Sequence, residues 1–215
     1  MSLKLYYHPL SSFCWKVLIP LYENSTPFEK HFVDLGDPAA RAAFLEVWPV
    51  GKFPVLRDAA RDWTVPESSI IIEYLQQHYP GPVRFLPDDP DLARQVRMRD
   101  RFLDLYVHLP MQTVVGDRLR PEGQKDSYGV EQARARIATA LGTLEQDLAG
   151  KTWMMGESFS MADCAAAPAL YYTDKVQPYG DTHPNVAAYR RRLMERPSFV
   201  RVLEEARPYF HLFPG

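Results

Sequence analysis

The chain has 215 residues, with 25 Lys and Arg against 27 Asp and Glu, a formal net charge of -2 and a pI near 6.3. This balance offers no basic surface for nucleic acid or for an anionic membrane, so we expect neither partner. A hydrophobic content of 46% and a charged content of 24% are typical of a globular protein with a large core.

The two cysteines, Cys14 and Cys164, cannot build a disulfide framework, which favours a reducing compartment. The N-terminal residues lack the basic and then apolar pattern of a signal peptide, and the longest apolar runs are too short to span a membrane. The six histidines have no metal-ligand spacing. We therefore expect a cytoplasmic protein without a metal site.

The first third of the chain alternates between strand and helix patterns, in the order βαβαββα. This order predicts a small α+β sandwich. The predicted elements are strand 3–7, helix 14–22, strand 28–33, helix 37–45, strand 53–56, strand 63–65 and helix 69–79.

A cluster of four prolines and one glycine follows between Tyr79 and Pro90 and predicts a linker at 81–89. We therefore expect one domain at 1–80 and an all-helical domain at 90–215. Predicted helices there are 91–109 (kinked at Pro110 and continuing to 119), 130–148, a small-residue helix from Cys164, 184–196 and 198–206. In the first of these helices, Val96, Phe102, Leu105 and Leu109 are expected to face a core.

Ser160 and Asp163 form a Ser-x-x-Asp capping box ahead of the small-residue helix. We expect both side chains to support folding rather than chemistry.

The segment Ser11–Val17 lies where the first strand gives way to the first helix. A hydroxyl there sits beside unpaired backbone N–H groups and the positive end of the helix dipole, which suits an anion such as a thiolate. Ser11 or Ser12 would also be an ordinary N-cap, and the sequence leaves both roles open.

Three motifs in the first domain, taken together, resemble the cytosolic glutathione transferase superfamily. They are Ser11-Ser12-Phe13-Cys14, Gly51-Lys52-Phe53-Pro54-Val55-Leu56, and the helix start at Glu67-Ser68. The capping box and the pattern from His183-Pro184 to Arg196-Pro197 are similar as well. The resemblance is greatest to the serine-type theta and zeta branches, and it implies a thioredoxin-like first domain and a homodimer.

The resemblance also implies a glutathione site. Ser11 matches the serine that donates to the glutathione sulfur, and Ser12 is the next candidate. Phe53, beside a cis-Pro54, would pair its backbone with the cysteinyl unit, and Lys52 would lie near the glycine carboxylate. Glu67 and Ser68 would hold the γ-glutamyl ammonium and carboxylate.

This assignment implies a glutathione transferase that conjugates the thiolate to a small apolar electrophile, or a related isomerase such as maleylacetoacetate isomerase. The zeta branch has Ser-Ser-Cys where this chain has Ser-Ser-Phe, which weakens the isomerase. Leu10, Tyr106, Met111 and Tyr171 are candidate walls of the electrophile pocket.

Other assignments of the sulfur contact stay open. Tyr6 and Tyr7 are rival hydroxyl donors, and Cys14 would serve a thiol-disulfide reductase. A non-catalytic interaction module with the same fold is the remaining alternative.

Overall fold

The computed structural model describes residues 2–214. Its first part contains four strands and three helices in the predicted order βαβαββα, which confirms the fold class. They are β1 Leu3–Tyr7, α1 Ser12–Glu23, β2 Glu29–Phe32, α2 Pro38–Val47, β3 Val55–Asp58, β4 Trp63–Pro66 and α3 Ser68–His78.

The four strands form one mixed sheet in the order β2-β1-β3-β4. β1 pairs in parallel with β2, and β3 runs antiparallel to both β1 and β4. Alternation along β1 buries Leu3 and Leu5 on one face, against α1 and α3. The predicted third strand started at Phe53, but the ladder begins only at Val55, which pairs with Tyr6 and Pro66.

The second part is helical throughout the residues that the structure describes, as predicted. The α-helices are α4 Pro90–Phe102, α5 Leu109–Arg118, α6 Ser127–Asp147, α7 Met161–Val176, α8 Pro184–Glu195 and α9 Pro197–Ala206. Short 3-10 turns occupy Glu122–Gln124 and Arg207–Leu212.

A π-helical segment, Leu103–His108, joins α4 to α5 without a break. Its wider turn changes which side chains face inward, so part of the sequence prediction was wrong. Val96 is buried, but Leu105 and Leu109 are 38% and 43% exposed. Asp100, Asp104 and His108 take the inward positions instead.

The buried capping-box carboxylate of Asp163 joins three parts of the helical region. It accepts hydrogen bonds from the N–H of Ser160, the N–H of Met154 and the hydroxyl of Tyr189, at 2.8, 2.8 and 2.6 Å. These contacts give the residue a structural role, as expected. None of the helices within residues 2–214 combines the length and apolar character needed to cross a bilayer.

Helix α1 packs against the sheet and also against α7 and α9. Its Trp15 is completely buried among aromatic rings of the helical part, including Tyr172 and Phe199. Glu23 at the end of α1 accepts two hydrogen bonds from Arg196, both 2.7 Å long. One continuous core therefore runs through both parts, and the domain limits 1–80 and 90–215 stay a prediction.

Candidate functional site

Two cavities lie along the junction of the sheet domain and the helices, and Phe53 borders both. The first has a volume of about 420 Å³ and contains the turn before β3, the start of α3 and the inner face of α4. It brings together Lys52, Phe53, Pro54, Glu67 and Ser68, five residues that were predicted from separate motifs.

Charge in the first cavity is arranged so that one cation and one anion stay free. Arg97 forms a bidentate ion pair with Glu73, at 2.8 and 2.7 Å. Within residues 2–214, by contrast, no ion pair involves Lys52 or Glu67. The cavity is therefore suited to a ligand that carries an ammonium and a carboxylate at separate places.

The start of α3 supplies a second feature that suits a carboxylate. Glu67 has a φ of 69°, and α3 begins directly after it with Ser68. The first N–H groups of the helix have no partner within the helix and point back toward this turn. The peptide bond between Phe53 and Pro54 is cis, as the resemblance implied.

The second cavity has a volume of about 460 Å³ and a largely apolar wall. Ser11 and Ser12 form its polar corner, Phe53 borders it, and Gln112 is a further polar residue of the lining. Its apolar lining consists of Leu10, Met111, Val115, Tyr172, Leu212, Phe213 and Pro214. The C-terminal segment thus contributes to this wall up to Pro214, and Gly215 lies outside the described residues.

The two candidate serines have different surroundings. Ser11 is the N-cap of α1, and its Oγ accepts the backbone N–H of Cys14 at 3.3 Å. Ser12 is the first residue of α1, is 5% exposed, and has its Oγ within hydrogen-bond distance of Nε2 of His108. Both residues border the second cavity, so the geometry leaves both as candidate donors.

Cys14 is completely buried, and its thiol lies beside the Ser11 side chain. Burial raises the pKa of the Cys14 thiol to about 12, although the hydrogen bond with Ser11 opposes the shift. At neutral pH the thiol therefore stays protonated and is a poor nucleophile.

Of the other sequence candidates, the four tyrosines do not line either of these two cavities. Tyr6 packs near Phe44, and Tyr7 packs against the main core, where burial raises the pKa of its hydroxyl. Of the four predicted wall residues, Leu10 and Met111 line the second cavity. The prediction was wrong for Tyr106, which is 53% exposed in a separate groove beside α6, and for Tyr171, which is buried beside Trp15.

A buried ionic cluster, part of which lines the first cavity, escaped the sequence analysis. Lys16 of α1 is completely buried, and its Nζ lies 2.7 Å from a carboxylate oxygen of Asp100 and 2.7 Å from one of Asp104. It also donates to Ser69 Oγ at 2.9 Å, and Ser69 Oγ donates to Asp100 at 2.6 Å. The cluster ties the starts of α1 and α3, which hold the serines and Glu67, to α4 and the π-helical segment.

Burial of the cluster also shifts the pKa of one of its carboxyl groups, that of Asp104. Desolvation raises the pKa of Asp104, and the Lys16 charge opposes that shift. Asp100, Asp104 and His108 follow one another at four-residue intervals, which place them on one side of a continuous helical segment, and all three are buried. A lysine within α1 and acids within a polar helix would each look solvent-exposed in a sequence, so the pairing carried no local signal.

Comparison with known proteins gives a consistent result. Residues 5–83 match the model of the glutathione S-transferase N-terminal domain, and residues 127–192 match that of the C-terminal domain. Glutathione S-transferase F13 of Arabidopsis thaliana is 28% identical over 210 residues, covering 94% of this chain and 95% of its own. Glutathione S-transferase GstB of Escherichia coli K12 is 27% identical over 190 residues, covering 87% and 91%.

A solved structure extends the likeness to the whole architecture. The glutathione S-transferase of Methylobacillus flagellatus, crystallised with glutathione bound, superposes with a TM-score of 0.84. The two sequences are 29% identical, and the match covers 94% of this chain and 98% of the other.

Proposed function

The chain belongs to the glutathione S-transferase family, and from this premise we propose that it joins the thiolate of glutathione to a small apolar electrophile held in the second cavity. The chain is thus a glutathione transferase with glutathione as its co-substrate. The observation that carries the proposal is the position of Phe53 between a charged cavity and an apolar one.

Glutathione is a tripeptide with an ammonium and two carboxylates. We assign its γ-glutamyl end to the first cavity, with the ammonium on Glu67 and the carboxylate at Ser68 and the N-terminus of α3. The cysteinyl unit would pair with the backbone of Phe53, which precedes the first paired residue of β3. Lys52, exposed and adjacent, supplies the charge for the glycine carboxylate.

This placement directs the cysteinyl sulfur past Phe53 toward the polar corner of the second cavity. A free thiol with a pKa of ~8.5 is only a few per cent ionised at neutral pH. Ser11 Oγ accepts the backbone N–H of Cys14, and its hydroxyl proton would donate to the glutathione sulfur in place of the Cys14 thiol beside it. That donation, together with the N-terminus of α1, stabilises the thiolate and lowers its pKa.

The electrophile would occupy the apolar remainder of the second cavity. Met111 of α5, Tyr172 of α7 and Phe213 of the C-terminal segment form its walls. Such a surface selects small apolar compounds and lets the thiolate attack carbon away from bulk water. Conjugation needs only this arrangement, and a glutathione-dependent isomerisation would use the same thiolate.

The thiol-disulfide reductase alternative requires a reactive Cys14, which its burial and raised pKa disfavour. A non-catalytic module would have no need for the unpaired Glu67 beside the helix start. We further propose a cytoplasmic homodimer, on the basis of the family resemblance and of two unlinked cysteines. Sedimentation velocity tests the dimer: a single species of monomer mass would refute it.

Isothermal titration with glutathione tests the binding half of the proposal, and a chain that shows no heat of binding would refute it. Ser11→Ala tests the catalytic half. We expect kcat to fall about 10²-fold because one donor to the developing charge is lost. Ser127→Ala, at the exposed first turn of α6, is the matched control. Unchanged turnover in Ser11→Ala would assign the donor elsewhere.

A further inference from the structure

A buried histidine lies directly behind the proposed sulfur site. His108, the last residue of the π-helical segment, is completely buried. Its ring stacks on Phe13, with centroids 4.0 Å apart and planes 18° apart, and its Nε2 contacts Oγ of Ser12. Ser12 follows Ser11, the residue to which we assign the sulfur contact, and both border the second cavity.

The environment of His108 keeps its imidazole neutral. Burial is the main cause and the nearby Lys16 ammonium the second, and together they lower the pKa of His108 to about 3. Asp104, one turn earlier on the same segment, is itself paired with Lys16. A neutral imidazole carries one N–H and one bare nitrogen, so the tautomer decides which partner donates in the contact with Ser12.

The burial of the other ring nitrogen selects the tautomer. Within residues 2–214, Nδ1 of His108 has no hydrogen-bond partner. A proton on Nδ1 would leave a buried N–H unpaired, and unpaired buried N–H groups are rarer in proteins than acceptors with a free lone pair. The proton therefore belongs on Nε2, which donates to Ser12 Oγ.

This assignment releases the proton of the Ser12 hydroxyl. A hydroxyl that accepts from His108 has one O–H left to donate, and the contact with an N–H strengthens that donor. Ser12 borders the second cavity beside Ser11 and Phe53, where the thiolate would lie. A hydroxyl with the opposite role, donating to His108, could offer sulfur only lone pairs.

We propose that His108 is a positioning residue that orients the Ser12 hydroxyl as a second hydrogen-bond donor to the glutathione thiolate, alongside Ser11. This inference rests on the proposed function, since it requires glutathione sulfur at the start of α1. It gives both His108 and Ser12 a role in function. Packing alone would favour apolar side chains at these two buried positions, because burying polar groups costs free energy.

Three substitutions of His108 separate positioning from packing. In His108→Gln the side-chain amide nitrogen replaces Nε2, in His108→Asn it replaces Nδ1, and His108→Phe keeps the ring without any donor. We expect the thiol pKa of bound glutathione, read from ultraviolet thiolate absorbance, to rise by about one unit in the Asn and Phe variants. kcat at neutral pH should fall about 10-fold, and the KM for glutathione should stay within about 2-fold. The Gln variant should recover most of the difference.

Ser12→Ala is the second test, because it removes one oxygen atom from a first-turn position and spares the buried ring. It should reproduce the shift of the thiol pKa, and combining it with His108→Phe should add little further change. A Ser12→Ala variant with a wild-type thiol pKa would overturn the inference, even if every His108 variant failed to fold. So would a Gln variant that behaves like the Phe variant.

The wild-type protein distinguishes this inference from the proposed function. If it shows no calorimetric binding of glutathione, the proposed function itself fails. If it binds glutathione and loses activity in Ser11→Ala, while Ser12→Ala keeps both its thiol pKa and its turnover, only the role of His108 and Ser12 is refuted.

Discussion

The buried lysine of α1 gives the sharpest stability prediction. Lys16→Met keeps most of the side-chain volume but removes the ammonium that neutralises Asp100 and Asp104, whose side chains are 1% and 5% exposed. Two like charges then remain buried side by side, and the only other cation near them is the largely exposed Arg101 guanidinium, 3.7 Å from Asp104 among the described residues. Breaking a buried ion pair in this way costs about 3–5 kcal/mol, a large part of the 5–15 kcal/mol typical of a folded protein.

Urea unfolding at one fixed protein concentration measures this loss of stability. The m-value, the slope of the unfolding free energy against urea concentration, is compared between variants to check that each unfolds in the same way. Lys4→Met is the matched control. Lys4 pairs with Glu29 at 3.2 Å, and because both side chains are exposed, 37% and 53%, the pair is worth at most about 1 kcal/mol. Adding Asp104→Asn to Lys16→Met removes one of the uncompensated charges and should return part of the loss. A Lys16→Met protein as stable as Lys4→Met would refute the reasoning.

Three further predictions use other groups of the site. Cys14→Ala should retain turnover within about 2-fold, and loss of activity in this variant would favour the reductase. Native Cys14 should also resist alkylation at pH 8, because the ionised fraction of a thiol with a pKa of about 12 is ~10⁻⁴ at that pH. Glu67→Gln should raise the KM for glutathione about 10–100-fold, by loss of a charged hydrogen bond, and Glu131→Gln on α6 should not. Between pH 6.5 and about 3 the unfolded chain binds a proton at His108 that the folded chain does not, because folding lowers the pKa from 6.5 to about 3. As the pH is lowered through this range, stability should therefore fall by up to about 1.4 kcal/mol per pH unit from this group. A plot of Tm against pH should be flatter for His108→Gln than for His31→Asn.

The sequence predicted those parts of the molecule that depend on local pattern. Alternation placed β1, and the family resemblance identified the cis bond before Pro54, although the sequence prediction began β3 at Phe53 rather than at Val55. The order of the short motifs predicted that Glu67 and Ser68 lie close in space to Phe53 and Pro54, because the fold of a family fixes which loops meet.

The parts that failed depend on long-range packing. The assignment of Leu105 and Leu109 to a core assumed one helical period, whereas the π-helical segment turns those positions outward. His108 of this segment contacts Ser12, 96 positions away in the sequence, and such a contact has no local sequence signal. A histidine in a polar helix carries no sign of complete burial until its neighbours are known.

The double packing of α1 has a consequence for how the chain can be divided. One side of the helix completes the sheet domain, and the other buries Trp15 among rings of α7 and α9. An isolated N-terminal half would expose that aromatic face to water and would associate or melt. Chimaeras that exchange halves between relatives should therefore fold only when the side chains of α1 that pack against α7 and α9 come from the same parent as those two helices.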